Sequence, residues 1–498
     1  MARYVIANRR AGKFRESEKR AARSAVEAAL GAAGGRLRVL ADHNPKDPLA
    51  RRLLLVEAEP HHIHAIPAHP DLLVEPEILH WNDTRRPSEF AAADRSTLRG
   101  PVAAGANSLR VRVTGSGRPL AGAGVTLLLR GPGGTLRELD QVTGSSGRAS
   151  FSFPESFEAS ALVAMPAGGH WAMLVRGPDA SVAIECPRLP SAGPLGWWHQ
   201  AVGVEKFHAG AARGIRIGVA DTGAGPHPCL AHVRNVGAFV NGGFLPPPQG
   251  ADVNFHGTHV CGTIGARPVT RRQYAGIAPG AALFSARVFP PEGGAAGQAD
   301  IANAIDALSR THRVDLINLS LAADTPSEIE LDAIRDALER GTLCVCAAAN
   351  TGGAVQFPAA FPECVAVSAL GLLGVAPPGS MSDSRVPFLP DHFADENLYL
   401  ANFSCFGPQI ACGGPGVAVI STFPERFGLR APYAALDGTS MAAPAVCATL
   451  AVLLAESEQY RALPRDESRA RMARRILIHA CRDVGLAAAC QGRGLPRV

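Results

Sequence analysis

The sequence predicts an α/β fold from residue 197 to the C-terminus, a parallel sheet flanked by helices, preceded by a small α+β unit and a small antiparallel β-sandwich. Three observations carry this. After Trp197, strand-like apolar runs such as "IRIGVAD", "VDLINLSL" and "LCVCAAAN" alternate with helix-like runs such as "DIANAIDALSRT" and "LDAIRDALERG". That order buries a parallel sheet under helices on both faces. Between residues 106 and 187, short alternating runs ("SLRVRVTG", "AGVTLLLRG", "LRELDQVTG", "RASFSFP") are punctuated by Gly, Ser and Pro, the pattern of a β-sandwich. Residues 1–82 read as strand, amphipathic helix, strand, short helix and strand.

Along the chain, "RYVIAN" opens as a strand, and a helix from Glu16 to Ala33 interleaves Arg and Glu on a solvated face. "RRLLLVEAE" is the next strand. "PHHIHAIPAH" offers His61, His62, His64 and His69, yet it fits a short amphipathic helix with Ile63 and Ile66 inward better than a metal site. The polar, Pro- and Ala-bearing stretch 83–105 is a linker. In the sandwich at 106–187, Phe151 and Phe153 share a face, since strand side chains repeat every two residues. Residues 188–196 form a second linker, and 197–498 the α/β domain. Within that domain the Pro- and Gly-rich stretch 371–400 reads as a surface loop placed to contact substrate.

With 47% apolar and 19% charged residues in 498, the chain is globular with ample core. A net charge of +5, with its basic residues scattered, argues against a nucleic-acid partner. "MARYVIANRRAGKF" lacks the apolar core of a secretory signal. The apolar run Ala445 to Ala455 is about half the ~20 residues a membrane span needs. Both features point to a cytoplasmic protein without membrane contact. Eleven cysteines, an odd number lying mostly in apolar runs, read as buried free thiols rather than a disulfide framework. No cysteine or histidine spacing suggests zinc.

In parallel sheets ligands bind at the carboxyl ends of the strands. There stand Asp221, ending "GIRIGVAD"; His256, opening a helix of small residues; Asn350, ending "TLCVCAAAN"; and Ser440, within "DGTSMAAP" before a polar-free stretch. Singly, each is an ordinary turn, cap or core residue. Together they form a set. A serine hydroxyl is a poor nucleophile without a base in hydrogen-bond reach and a third group to orient that base. Asn350 offers an amide donor for the oxyanion that develops at an acyl carbon. A helix starting near Met441, with Pro444 in its first turn, aims its positive end at the reacting carbonyl. The chain has no G-x-S-x-G elbow and no H-E-x-x-H zinc pair. His259 reads as structural.

The blocks "VADTG", "HGTHVCGTIGA", "AAAN" and "DGTSMAAP" closely resemble the Asp, His, oxyanion-Asn and Ser blocks of the subtilisin-like serine proteases. The resemblance runs from about residue 197 to 495 and includes "GIAPGAAL", "ANFSCFG" and "GPGVAVIST". It implies a subtilisin-like catalytic domain in which Asp221 orients His256, His256 is the general base, Ser440 the nucleophile, and Asn350 with the Ser440 amide the oxyanion hole. It further implies that the strand Ser320, Leu321, Ala322 binds substrate backbone, though Ala322 and Ala323 replace the usual glycine pair. Cys261 replaces a small residue near His256 and is expected to be inert in turnover. No cofactor is implied for catalysis. Calcium stabilises many members of that family, but no ligand loop for it maps onto this sequence.

Residues 1–82 resemble the propeptide/inhibitor domain of the same proteases, closest in "VEAEPHHIHAIPAHPDLLVEPE". This region is then an intramolecular inhibitor, although the interposed sandwich argues against a tail lying simply in the cleft. The sandwich resembles transthyretin-like regulatory domains found beside some peptidases. The resulting expectation is a serine endopeptidase acting on peptide or protein substrates, latent until its N-terminal region is displaced or cleaved. Two alternatives stand beside it: a processing protease dedicated to one partner precursor, and a non-catalytic regulatory binder.

Overall fold

A computed structural model describes residues 1–33, 35–82, 106–191, 193–291, 294–425, 429–430 and 432–498. The expected linker 83–105 therefore lies outside the described residues. From residue 216 onward the framework is a nine-stranded sheet. Seven of its strands run parallel: Arg234–Val240, Ala282–Arg287, Arg216–Asp221, Leu316–Leu319, Leu343–Ala347, Val365–Leu372 and Ile410–Pro415. The expectation of a parallel sheet needs correcting, because Gly243–Leu245 and Leu398–Leu400 pair antiparallel. Gly243–Leu245 returns directly after a two-residue turn, a connection that parallel neighbours cannot make, whereas Leu398–Leu400 comes back after the long segment 373–397.

Two apolar cores lie on the two faces. Ile217 and Val219 of the central strand join one, together with the helices His256–Gly265 and Thr439–Glu456. Ala220 joins the other, with the helices Gln298–Asp306 and Glu328–Glu339. The helix Thr439–Glu456 is long and apolar enough to cross a membrane by length and composition, which exceeds the sequence expectation. Yet 83% of its apolar window is buried within the fold. It is the core helix of this domain.

The N-terminal residues form a four-stranded sheet, Arg38–His43, Leu53–Ala58, Ala2–Asn8 and Leu72–Pro76 in spatial order. The helix Glu16–Ala33 covers one face, meeting Ile6, Leu54 and Val56. The opposite face carries Val5, Ala7, Leu53, Leu55 and Leu73 into the same core as the helices Gln298–Asp306 and Glu328–Glu339. Burial on both faces explains why "LLLV" is an unbroken apolar run rather than an alternating one. Polar contacts fix the docking. Arg51, fully buried, pairs with Asp306 (2.9 Å) and Asp332, and Arg10 pairs with Asp336 (3.3 Å). The strand Arg38–His43 went unread because its exposed edge position leaves it without an apolar alternation.

Residues 106–185 fold as two four-stranded sheets around one apolar cluster that includes Phe151 and Phe153. One pairing departs from expectation: Ser181–Glu185 runs parallel to Ala106–Gly115. This unit touches the α/β domain through Gly169 N donating to Tyr433 O (2.7 Å) and Met381 N to Ala172 O (2.9 Å). The segment 371–400 is anchored rather than loose, since Arg385 is buried, pairs with Asp437 (3.2 Å) and lies over Phe403.

Candidate active site

Asp221 ends a strand flanked on both sides by parallel neighbours, so its fully buried carboxylate sits at the carboxyl edge of the sheet. Its Oδ1 accepts from Thr222 N (2.7 Å) and from His256 Nδ1 (2.7 Å). A carboxylate oxygen can only accept, so the imidazole proton is on Nδ1 and the basic lone pair on Nε2. His256 Nε2 is buried and has no hydrogen-bond partner.

Ser440 is the second residue of its helix, preceded by Gly438 at φ +155°. Its hydroxyl donates to Ser320 O at 3.4 Å and not to His256. In free enzymes, hydrogen bonds between a nucleophile and its base are often long or open until substrate binds. Pro444 lies in the helix interior, not its first turn as expected, because the helix begins at Thr439. Lacking an N–H, Pro444 leaves the Ser440 carbonyl unclaimed within the helix, and Ser320 Oγ donates to it instead (3.0 Å).

Asn350 follows Ala349, which is held at φ +90°, a conformation that costs an ordinary residue about 1–3 kcal/mol. The Asn350 Oδ1 accepts from Thr439 N and Thr439 Oγ1, both at 2.9 Å. The oxygen accepts there, and the amide nitrogen is the donor end of this side chain. The turn thus places one side-chain N–H donor beside the start of the Ser440 helix.

The model of the subtilase family matches residues 212–494. The chain belongs to the subtilase family. Subtilisin Savinase of Lederbergia lenta is 32% identical over 243 residues, covering 48% of this chain and 76% of that protein. An alkaline protease of Shouchella clausii gives 32% over 243 residues, covering 48% and 54%. The major intracellular serine protease of Bacillus subtilis gives 32% over 282 residues, covering 53% and 76%. The protein is a subtilisin-like serine endopeptidase.

In this subtilase, Asp252 is a residue the sequence reading missed. Half-buried, it accepts from Thr222 Oγ1 (2.9 Å), Asn254 N (2.8 Å) and Thr258 N (3.0 Å), as well as from Thr258 Oγ1. Thr222 Oγ1 in turn accepts from Gly257 N (2.8 Å). Asp252 thereby ties the turn after Asp221 to the first turn of the His256 helix. Burial pushes its carboxyl up to about 6 against these donors. Its signal in sequence was only its place four residues before His256. His259 is structural: Nε2 sits 3.0 Å from Val419 O and 3.1 Å from Ala434 O, and burial lowers it to about 3. Burial pushes the Cys261 thiol well up, which keeps it unreactive.

The N-terminal segment reaches the same site, although in the sequence the interposed unit argues against a tail lying simply in the cleft. Ile78 N donates to Gln298 Oε1 (2.8 Å), and Gln298 N to Ile78 O (3.0 Å). Leu79–His80 pairs antiparallel with Ala296–Gly297. Trp81 exchanges both backbone hydrogen bonds with Ala322, at 2.8 and 2.9 Å. A cavity of about 250 Å³ follows, lined by Leu79, Trp81, Ala322, Asn350, Thr439 and Ser440. The unit 106–185 fails to block this path because it stands elsewhere. Together with Phe255, Leu436 and Asp437, its Val163 and Met165 line a separate cavity of about 340 Å³.

Proposed function

We propose that Ser440 attacks the scissile carbonyl, with His256 Nε2 taking the hydroxyl proton and returning it to the leaving amine. Asp221 fixes the tautomer and stabilises the imidazolium that forms. Asn350 and the Ser440 backbone amide hold the oxyanion. The observation that carries this reading is the 2.7 Å Asp221–His256 bond, which leaves Nε2 as the basic end of the ring, together with the cavity that Ser440 and Asn350 line. A serine-directed fluorophosphonate should label the full chain at Ser440 and leave Ser440→Ala unlabelled. Labelling that persists in that variant sinks the assignment.

Residues 1–82 act as an intramolecular inhibitor and hold the enzyme latent. The support is the backbone pairing of Trp81 with Ala322 beside Ser440, which puts this chain's own strand where a substrate strand belongs. Trp81→Pro deletes the N–H donated to Ala322, so labelling should accelerate in that variant. Unchanged or slower labelling argues for a purely structural segment. All eleven cysteines are free thiols, which suits a reducing compartment. The relative from Bacillus subtilis named as an intracellular protease points the same way.

A further inference from the structure

Next to the Trp81–Ala322 pairing, the strand alternation turns one side chain inward. Leu79 and Trp81 are substantially exposed, whereas His80 is fully buried. Its Nε2 lies 3.0 Å from Oε2 of Glu330, itself fully buried on the helix Glu328–Glu339. Glu330 Oε1 and His80 Nδ1 are buried without hydrogen-bond partners. Around this carboxylate the core is apolar, built from Ile329, Ala333, Cys344 and Cys346. Among the described residues His80 is the sole group paired with it. A carboxylate buried in such surroundings demands a donor, and the N-terminal segment supplies one.

We infer that Glu330 is a specificity-determining residue, selecting substrates that carry a basic side chain, imidazole or amine, in the place His80 occupies. This rests on the reading that residues 78–81 lie where the acyl side of a substrate lies. The register fixes the position: a substrate strand that replaces this segment in the Trp81–Ala322 register sets the residue two places later opposite Ser320. Ser320 O is the group that Ser440 Oγ touches, so the residue opposite Ser320 presents its carbonyl to the nucleophile. The selected side chain is therefore three residues before the acyl residue. When the N-terminal segment leaves, Glu330 loses its partner. An apolar side chain in that place leaves the carboxylate dry and unpaired, whereas an imidazole or amine restores the bond with its unused Oε1 available for a second donor.

The test uses the full chain carrying Trp81→Pro, which opens the cleft, with and without Glu330→Gln. Fluorogenic peptides vary only the residue three before the acyl position among His, Lys, Leu and Ala. For the parent, kcat/KM with His or Lys should exceed that with Leu by roughly 10–100-fold, the worth of a charge-assisted hydrogen bond. Glu330→Gln should cut that preference to about threefold or less while leaving kcat on the Ala peptide within about twofold. Fluorophosphonate labelling of Ser440 in both chains checks folding and the underlying reading. Where labelling is intact and the preference is absent or survives Glu330→Gln, the inference is overturned and the catalytic reading stands. Where Ser440 is not labelled in the parent, both fall together. Glu330→Leu, should it label normally, must invert the preference toward Leu; retention of the basic preference also overturns the inference.

Discussion

Two buried imidazole–carboxylate pairs stand near this cleft, His256 with Asp221 at 2.7 Å and His80 with Glu330 at 3.0 Å. Their chemistry is alike and their attachments differ. Asp221 and His256 come from one domain, 35 positions apart, on a central strand and the helix packed beside it. Asp252 ties that strand turn to that helix. His80 and Glu330 are 250 positions apart, and one partner rides on a segment held by backbone pairing and a few docked side chains. The first pair joins two elements of one domain, whereas the second joins the N-terminal segment to that domain. In the proposed reading, one kind of buried pair serves a reaction step in the first case and a recognition step in the second, according to whether both partners belong to the same domain.

Breaking the first pair should show the largest effect. Ser440→Ala is expected to lower kcat about 10⁶-fold, a figure known for subtilisin, the namesake of this enzyme class. Asp221→Asn should cost about 10⁴-fold by leaving the wrong tautomer on His256. Both are read in steady-state peptide hydrolysis by the Trp81→Pro chain. An Asp221→Asn loss under tenfold would mean the two pairs do not differ as argued.

Next comes Asn350→Ala, with kcat down roughly 10²–10³-fold and KM little changed, again the magnitude established for subtilisin's own oxyanion donor. A change in KM alone would reassign the residue to substrate binding. Asp252→Asn sharpens the comparison further. Losing the carboxylate that joins Thr222 to Thr258 should cost about ten- to a hundredfold in kcat and shift the pH–rate profile of His256. A loss of thermal stability with an unmoved profile would make it merely structural.

The smallest effect is one of stability, at the seam where the N-terminal segment docks. Asp300 accepts from Asn241 N (2.9 Å) and Gly242 N (2.8 Å), yet burial pushes its carboxyl up to about 7. Its unfolded value is about 3.9, so between roughly pH 4 and 7 the folded state holds a proton that the unfolded state has released. Stability therefore falls as pH rises through that window, by on the order of a few kcal/mol. Asp300→Asn should flatten this slope in urea melts taken across that range, and an unchanged slope would refute the assignment.

Much of the site could be read from the sequence because strand ends mark themselves. Asp221, His256, Asn350 and Ser440 each terminate an apolar run or open a helix, and nucleophilic chemistry needs just those residue types. Asp252 was silent, since an acidic residue in a turn looks the same whether solvated or buried. Glu330 was quieter still. In "SEIELDAIRDALERG" a glutamate at helical spacing reads as solvent-facing, and only the docked N-terminal sheet and segment cover it. The parallel pairing of Ser181–Glu185, the antiparallel edge strands and the interior position of Pro444 share the same cause: each depends on a partner remote in the chain.

The sequence by itself determined the α/β order of the C-terminal region, the apolar faces and the residue types able to cleave an acyl bond, because these follow from local periodicity and intrinsic reactivity. Only the tertiary structure decided that residues 78–81 run along the cleft, that Glu330 is buried against His80, and that the unit 106–185 borders a separate cavity. Burial and pairing between distant segments depend on how whole surfaces pack, and no window of adjacent residues contains that information.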